Sequence, residues 1–437
     1  MSPINKKLHM LRFIQALALA ALCIAPQTNA LKALAQNAAT RTLRVDYDFS
    51  GNNKEQRIAL SELCSFNGWA GRRLHTDSLL LHGNGDITLC DAATQRVLYK
   101  QSFSTLFQEW QSTEEATRLT RSFENTFLLP MPTDSAEVTV QLYDMQQRPT
   151  VSFTHKVNPH DILIRNLDNS PIPPHRYLHR SGSATEKIDV AIVAEGYTAQ
   201  QAELFYADAQ KAVNAILSHE PFKHYADRFN FVAVAAESKD SDVSVPLEGK
   251  WRNTALSSHF STFYSDRYLT TLHQRDLHNL LARIPYEHII ILANTNTYGG
   301  GGIFNAYTLT TSHHSKFEPV VVHEFGHSFA GLADEYYYDD QYENYYSPDT
   351  EPWEQNITTL RHFADKWQDL LPAKGTKIPT PLNAKKMDKI GVYEGGGYMS
   401  KGVYRAFQDC RMKTNECKAF CPVCQRALSR LIQFYTE

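Results

Sequence analysis

The stretch Val320-Val-Val-His-Glu-Phe-Gly-His-Ser-Phe-Ala-Gly-Leu-Ala-Asp-Glu-Tyr336 reads as a helix that carries a metal site and ends in a sharp turn. His323 and His327 are four apart, so on a helix they share one face, one turn apart. Two imidazoles so placed can share one Zn²⁺, and Glu324 beside them can take a proton from a water on the metal. Pro319 fits a first turn, and Ser315 with Glu318 has capping-box spacing. Gly331 is free to adopt a left-handed cap. Zinc hydrolysis needs a third protein ligand and an open fourth position. Asp334, just past the turn, is the expected ligand, with Glu335 in reserve. An ordinary buried helix with two satisfied histidines would account for the pentapeptide alone. The apolar lead-in, the glycine stop and the downstream acid favour metal.

At these residues the chain resembles the bacterial IgA peptidase family of secreted zinc metallo-endopeptidases, relatives of the metzincins. A second segment carries the same resemblance: Gly395-Gly-Gly-Tyr-Met-Ser-Lys-Gly-Val-Tyr-Arg405, then Cys410-Arg-Met-Lys-Thr-Asn415 and Phe420-Cys-Pro-Val-Cys424. The resemblance covers roughly residues 185–437, with a weaker match upstream. It implies a multidomain α+β protein, in which an N-terminal all-β, sandwich-like domain precedes a metzincin-like α/β zinc-peptidase domain. It also implies a methionine turn beneath the zinc, with Met412 the candidate and Met399 the alternative. The usual metzincin helix places glycine three residues, and the third ligand six residues, after the second histidine. Here Gly331 is four after His327 and Asp334 is seven after. One extra residue rotates whatever follows by about 100° if the chain stays helical.

The bounds agree with an exported enzyme. The 437 residues suggest two to three domains, and a formal net charge of −3 points to neither nucleic acid nor an anionic membrane surface. Lys6, Lys7 and Arg12 precede an apolar run, Phe13 to Ala25, too short to span a bilayer. Thr28-Asn-Ala30 ends in a small residue suited to cleavage, so residues 1–30 read as a signal peptide. Cys23 as a lipoprotein site is disfavoured by Leu22 before it. The mature chain should lack an integral membrane segment and be periplasmic, surface-bound or secreted. Six cysteines remain after export: Cys64, Cys90, Cys410, Cys417, Cys421 and Cys424. In an oxidising compartment the expected state is disulfides or buried thiols, with a Cys64–Cys90 bond plausible. Cys421-Pro-Val-Cys424 also has metal-knuckle spacing, which leaves a second zinc as the alternative.

Residues 31–175 read as the β-domain. Leu43-Arg-Val-Asp-Tyr-Asp-Phe49, Val138-Thr-Val-Gln-Leu-Tyr143 and Val151-Ser-Phe-Thr-His155 alternate with period two. Trp69, Tyr99 and Trp110 read as core rather than as a ligand groove. A proline-rich connector over 165–188 places the boundary, and the catalytic domain follows over 185–437. Ile188-Asp-Val-Ala-Ile-Val-Ala194, Phe229-Asn-Phe-Val-Ala-Val-Ala235 and His288-Ile-Ile-Ile-Leu-Ala293 read as buried strands, with helices over 199–218 and around 263–283. Glu237, Asp240 and Asp242 lie in an acidic loop that could hold Ca²⁺, although a solvated loop explains them too. The glycines Gly299 to Gly302 suit close backbone approach. By analogy with metzincin-like enzymes, Gly301, Gly302 and Phe304 would form an edge strand binding extended substrate. Tyr398 or Tyr404 could donate to an oxyanion.

Together these readings describe an exported zinc endopeptidase acting on protein substrates, such as immunoglobulin or other host glycoproteins. His323, His327 and Asp334 would hold the metal and Glu324 would be the general base. The alternative is a surface protein- or glycan-binding module with a degenerate metal site.

Overall fold

The structure is a computed structural model that describes residues 40–338, 345–372 and 375–437. The signal-peptide reading and Cys23 lie outside these residues, as does part of the tyrosine-rich stretch after Glu335. The fold is mixed α/β and dominated by sheets.

The N-terminal part contains β1 (Arg41–Gly51), β2 (Gln56–Asn67), β3 (Gly85–Asp91), β4 (Val97–Phe103), β5 (Arg121–Pro130), β6 (Ala136–Tyr143), β7 (Pro149–Val157) and β8 (Arg165–Asn166). They form two four-stranded sheets, in the orders β5-β1-β2-β8 and β4-β3-β6-β7. Strand periodicity explains how one core serves both. Leu43, Val45, Tyr47 and Phe49 of β1 point to one side and meet Ile87, Leu89, Val138, Val140 and Leu142 of the other sheet. The domain is not all-β, because Leu106–Gln111 forms a short helix, α1, with Thr105 accepting from the Gln108 N–H at its N-terminus. Trp110 on α1, Trp69 and Tyr99 are all buried in the core. Cys64 and Cys90 are free thiols on β2 and β3, strands of different sheets, so the expected disulfide is absent.

The second part opens earlier than the connector reading implied. β9 (His175–Arg180) already edges a six-stranded sheet that also holds β10 (Ile188–Glu195), β11 (Phe229–Val234), β12 (His288–Ala293), β13 (Gly300–Ile303) and β14 (Tyr307–Thr311). The order is β13-β14-β12-β10-β11-β9; β14, β12, β10 and β11 run parallel and both edges run antiparallel. Parallel strands covered on both faces need apolar residues at every position, which is why Ile188 to Ala194 is a nearly continuous apolar run. Val190 and Ile192 face α2 (Ala202–Ser218), while Ala191 and Val193 face the side shared with the N-terminal part. The helix expected around 263–283 shortens to α3 (Gln274–Leu280), because Phe263 and Tyr264 take positive φ of 53° and 66°. α4 (Phe317–Ala330) carries His323 and His327. A small sheet of β15 (Tyr337–Tyr338), β16 (Ile357–Thr358), β17 (Tyr393–Gly396) and β18 (Tyr398–Arg405) covers its C-terminal end. α5 (Pro422–Thr436) closes the helical layer with Val423, Leu428, Leu431 and Ile432 buried. No helix of the described residues is long and apolar enough to cross a membrane.

The two parts share one continuous apolar core. Their polar seam is built on the second face of β1. Arg44 and Asp46 are fully buried and paired at 2.8 Å, and the Arg44 guanidinium also donates to Asn279 Oδ1 of α3 at 2.7 Å. Removing one partner strands the other charge in the interior, at a cost of about 3–5 kcal/mol. Arg44→Met should therefore lose about that much in chemical denaturation, and Asp46→Leu added to it should recover most of the loss. Equal stability of Arg44→Met and wild type would remove the pair from the seam.

Candidate metal centre

α4 begins one residue later than capping-box spacing implied. Its N-cap is Lys316, with no side-chain cap, so Ser315 and Glu318 do not form the expected box. Its end behaves as glycine chemistry dictates. Gly331 is left-handed at φ 57°, and its N–H reaches the His327 carbonyl at 2.8 Å. The extra residue relative to the usual spacing lies between His327 and Gly331, inside the helix. The left-handed turn at Gly331 ends the helix there, and the non-helical loop over 331–334 brings Asp334 back to the histidines.

The turn brings three donor atoms together. His323 Nε2 and His327 Nε2 lie 3.0 Å apart, and Asp334 Oδ1 is 3.0 Å from the first and 3.2 Å from the second. His323 Nδ1 faces the Arg411 carbonyl at 2.9 Å, and His327 Nδ1 faces the Leu332 carbonyl. A carbonyl can only accept, so each Nδ1 carries the proton and each neutral Nε2 presents its lone pair to the centre. Asp334 Oδ1 is buried and has no donor of its own in that state. Three acceptors facing one point fit a bound cation. Protons are the competing occupants: burial alone would lower both histidines, but the Asp334 carboxylate outweighs it, raising His323 and pushing His327 up to about 9. Burial likewise opposes ionisation of Asp334, and the two imidazoles overcome it, holding that carboxyl far below its usual range.

The surroundings sort the remaining expected residues. Tyr398, at the start of β18, donates its phenol to Asp334 Oδ2, which orients the carboxylate. Tyr404 lies further along β18, opposite Thr358 and Glu394, and is not brought to the centre. Met412 is buried beneath α4, where a Cβ on Gly326 would stand 2.8 Å from its sulfur. Met399 packs elsewhere, its sulfur accepting the Tyr346 N–H at 3.1 Å. Glu335 turns away from the histidines and joins Cys410, Cys421 and Cys424. Among the described residues, Glu237, Asp240 and Asp242 form no such group. Asp240 and Asp242 accept backbone N–H groups of Asn253 and Val243.

The glycine run is β13, an edge strand laid across α4. A Cβ at Gly302 would stand 2.3 Å from the Glu324 carbonyl oxygen, and one at Gly300 would stand 3.1 Å from Glu324 Oε1. Only glycine permits this approach. The strand's outer edge is engaged at both ends. The Gly300 N–H points to the Arg267 carbonyl at 3.4 Å, and the Phe304 carbonyl accepts the Ser104 N–H at 3.0 Å. Phe304 itself is buried against Trp353, so it belongs to the core and not to the open edge. The Tyr268 ring lies over Gly301, and its phenol binds Glu109 of α1. Burial pushes the Glu109 carboxyl up to about 7 against the pull of Tyr268 and the nearby His327. Neither residue announced itself in the sequence, since Glu109 lies in the β-rich part and no local pattern ties it to α4.

Two imidazoles, a carboxylate oxygen and a further carboxylate beside them have the make-up of a metallohydrolase centre. Residues 177–390 and 382–432 match the family model described as IgA Peptidase M64, and residues 34–154 match the Peptidase M64 N-terminus. The chain belongs to the IgA peptidase M64 family, a family of metallopeptidases. No curated protein matches it.

The geometry separates ligands from the groups that orient them. Asp334→Ala should lose the metal held by the two histidines. Tyr398→Phe should keep it with an affinity about 10–100-fold weaker. Competition with a chelator on the purified proteins measures both, and unchanged affinity in Asp334→Ala would remove it from the site.

Proposed function

We propose that this chain is an exported, zinc-dependent endopeptidase with a metzincin-like catalytic domain, hydrolysing peptide bonds within protein substrates. The observation that carries this reading is the convergence of His323 Nε2, His327 Nε2 and Asp334 Oδ1 on one point beside Glu324. Two imidazole nitrogens and a carboxylate oxygen suit Zn²⁺ and leave a coordination position for chemistry. Zinc held there would supply Lewis acidity and an acidified water.

The protein's own residues do the rest. Glu324 accepts the proton of the attacking water and delivers it to the leaving amine. Burial raises its carboxyl above the usual range while His323 and His327 pull it back, which makes it a stronger base than an exposed glutamate. Tyr398 fixes Asp334, so its role is positioning and not donation to an oxyanion. An extended substrate would lie along Gly301 and Gly302, between the two engaged ends of β13. Immunoglobulin and other host glycoproteins are the substrate candidates that the family's description suggests. The glycan-binding alternative has no observation in its favour.

Glu324→Gln should retain metal and lose about 10²–10⁴-fold in turnover of an unfolded protein substrate. Full turnover in that variant would reject Glu324 as the base. Export is checked on the protein recovered outside the cytoplasm, whose N-terminus should be Leu31.

A further inference from the structure

We propose that Glu335, Cys410, Cys421 and Cys424 hold a second, structural zinc ion in a closed four-ligand site beside the catalytic centre. One ligand atom from each of the four lies within 4.8 Å of all the others, and all four residues are buried. The spacing is that of coordination and not of covalent bonding. Cys424 Sγ is 3.7 Å from Cys410 Sγ and 3.6 Å from Cys421 Sγ. A disulfide requires about 2.05 Å. Four ligands around zinc, with bonds of about 2.3 Å to sulfur, put sulfurs about 3.8 Å apart.

Glu335 gives the second, independent indication. Its side chain is fully buried, and Oε1 lies 3.2 Å from Cys424 Sγ and 3.1 Å from the Asn356 amide nitrogen. Oε2 has no hydrogen-bond partner. Among the described residues no salt bridge reaches this carboxylate: Arg405, a basic residue near it, spends one guanidinium nitrogen on the carbonyls of Glu394 and Gly395. An uncompensated interior carboxylate is strongly unfavourable, and a metal bond removes that penalty. Three sulfur donors select zinc over calcium or magnesium. Cys421 occupies the N-cap position of α5, Cys424 lies in its first turn, and the Cys421 N–H donates to Cys410 Sγ at 3.1 Å. Binding releases the three thiol protons to solvent. Cys417 stays outside, half-buried, with its thiol on the Ala419 carbonyl.

The site would clamp the segments that build the catalytic centre. Glu335 follows Asp334, and its N–H donates to the Met412 carbonyl at 2.8 Å. Cys410 precedes Arg411, whose carbonyl holds His323.

The test uses the full-length protein loaded with Co²⁺ in place of its native metal. Wild type should bind two ions per chain and show thiolate-to-cobalt charge-transfer absorption in the near ultraviolet, which the His/His/Asp centre cannot produce. His323→Ala should drop to one ion and keep the band. Cys421→Ser/Cys424→Ser should drop to one ion and lose it. Absence of the band in wild type overturns the proposal, even if the cysteine variants fail to fold. So does a disulfide among Cys410, Cys421 and Cys424, mapped by mass spectrometry without reduction. Failure of the catalytic reading would leave the band in place, so the two are distinguishable.

Discussion

Both imidazoles of α4 are pinned by backbone carbonyls, and the rest of the centre depends on that constraint. With His323 Nδ1 against the Arg411 carbonyl and His327 Nδ1 against the Leu332 carbonyl, the rings cannot rotate, and their free nitrogens must face each other at 3.0 Å. One of these carbonyls is local, delivered by the left-handed turn at Gly331. The other comes from the loop that also places Met412 under the helix. Disturbing either loop would change the tautomer or the aim of a donor atom before it disturbed any ligand.

The N-terminal part belongs to the same mechanical unit. Its core is continuous with that of the catalytic sheet, its charged pair Arg44–Asp46 is anchored on α3, and Ser104 and Glu109 reach the glycine strand and its neighbour Tyr268. The surroundings of the glycine strand are therefore shared between two segments that the sequence presents as separate domains. Glycines at 300 and 302 let β13 come within contact of Glu324 and His327, so Glu324 is packed against backbone on one side.

Asp334 and Glu335 show how one short loop feeds two environments. Asp334 faces the imidazoles, and Glu335 faces Cys410, Cys421 and Cys424. The two acids are chemically alike and adjacent in sequence, yet they differ in every partner they have.

By itself the sequence determined whatever is encoded over one or two turns of chain. The four-residue spacing of His323 and His327, with Gly331 after them, identified α4 and its end. Continuous apolar runs identified β10, β11 and β12, and period-two alternation identified β1, β6 and β7. These signals need only local periodicity and the conformational freedom of glycine. The choice of Asp334 over Glu335 at the histidines, Tyr398 over Tyr404, Met412 over Met399, and a gathering of thiols with Glu335 in place of a Cys64–Cys90 bond were decided only by the tertiary structure. Each depends on which distant segments the chain path brings within a few ångströms. Burial and backbone direction set that path, and no short window of sequence contains it.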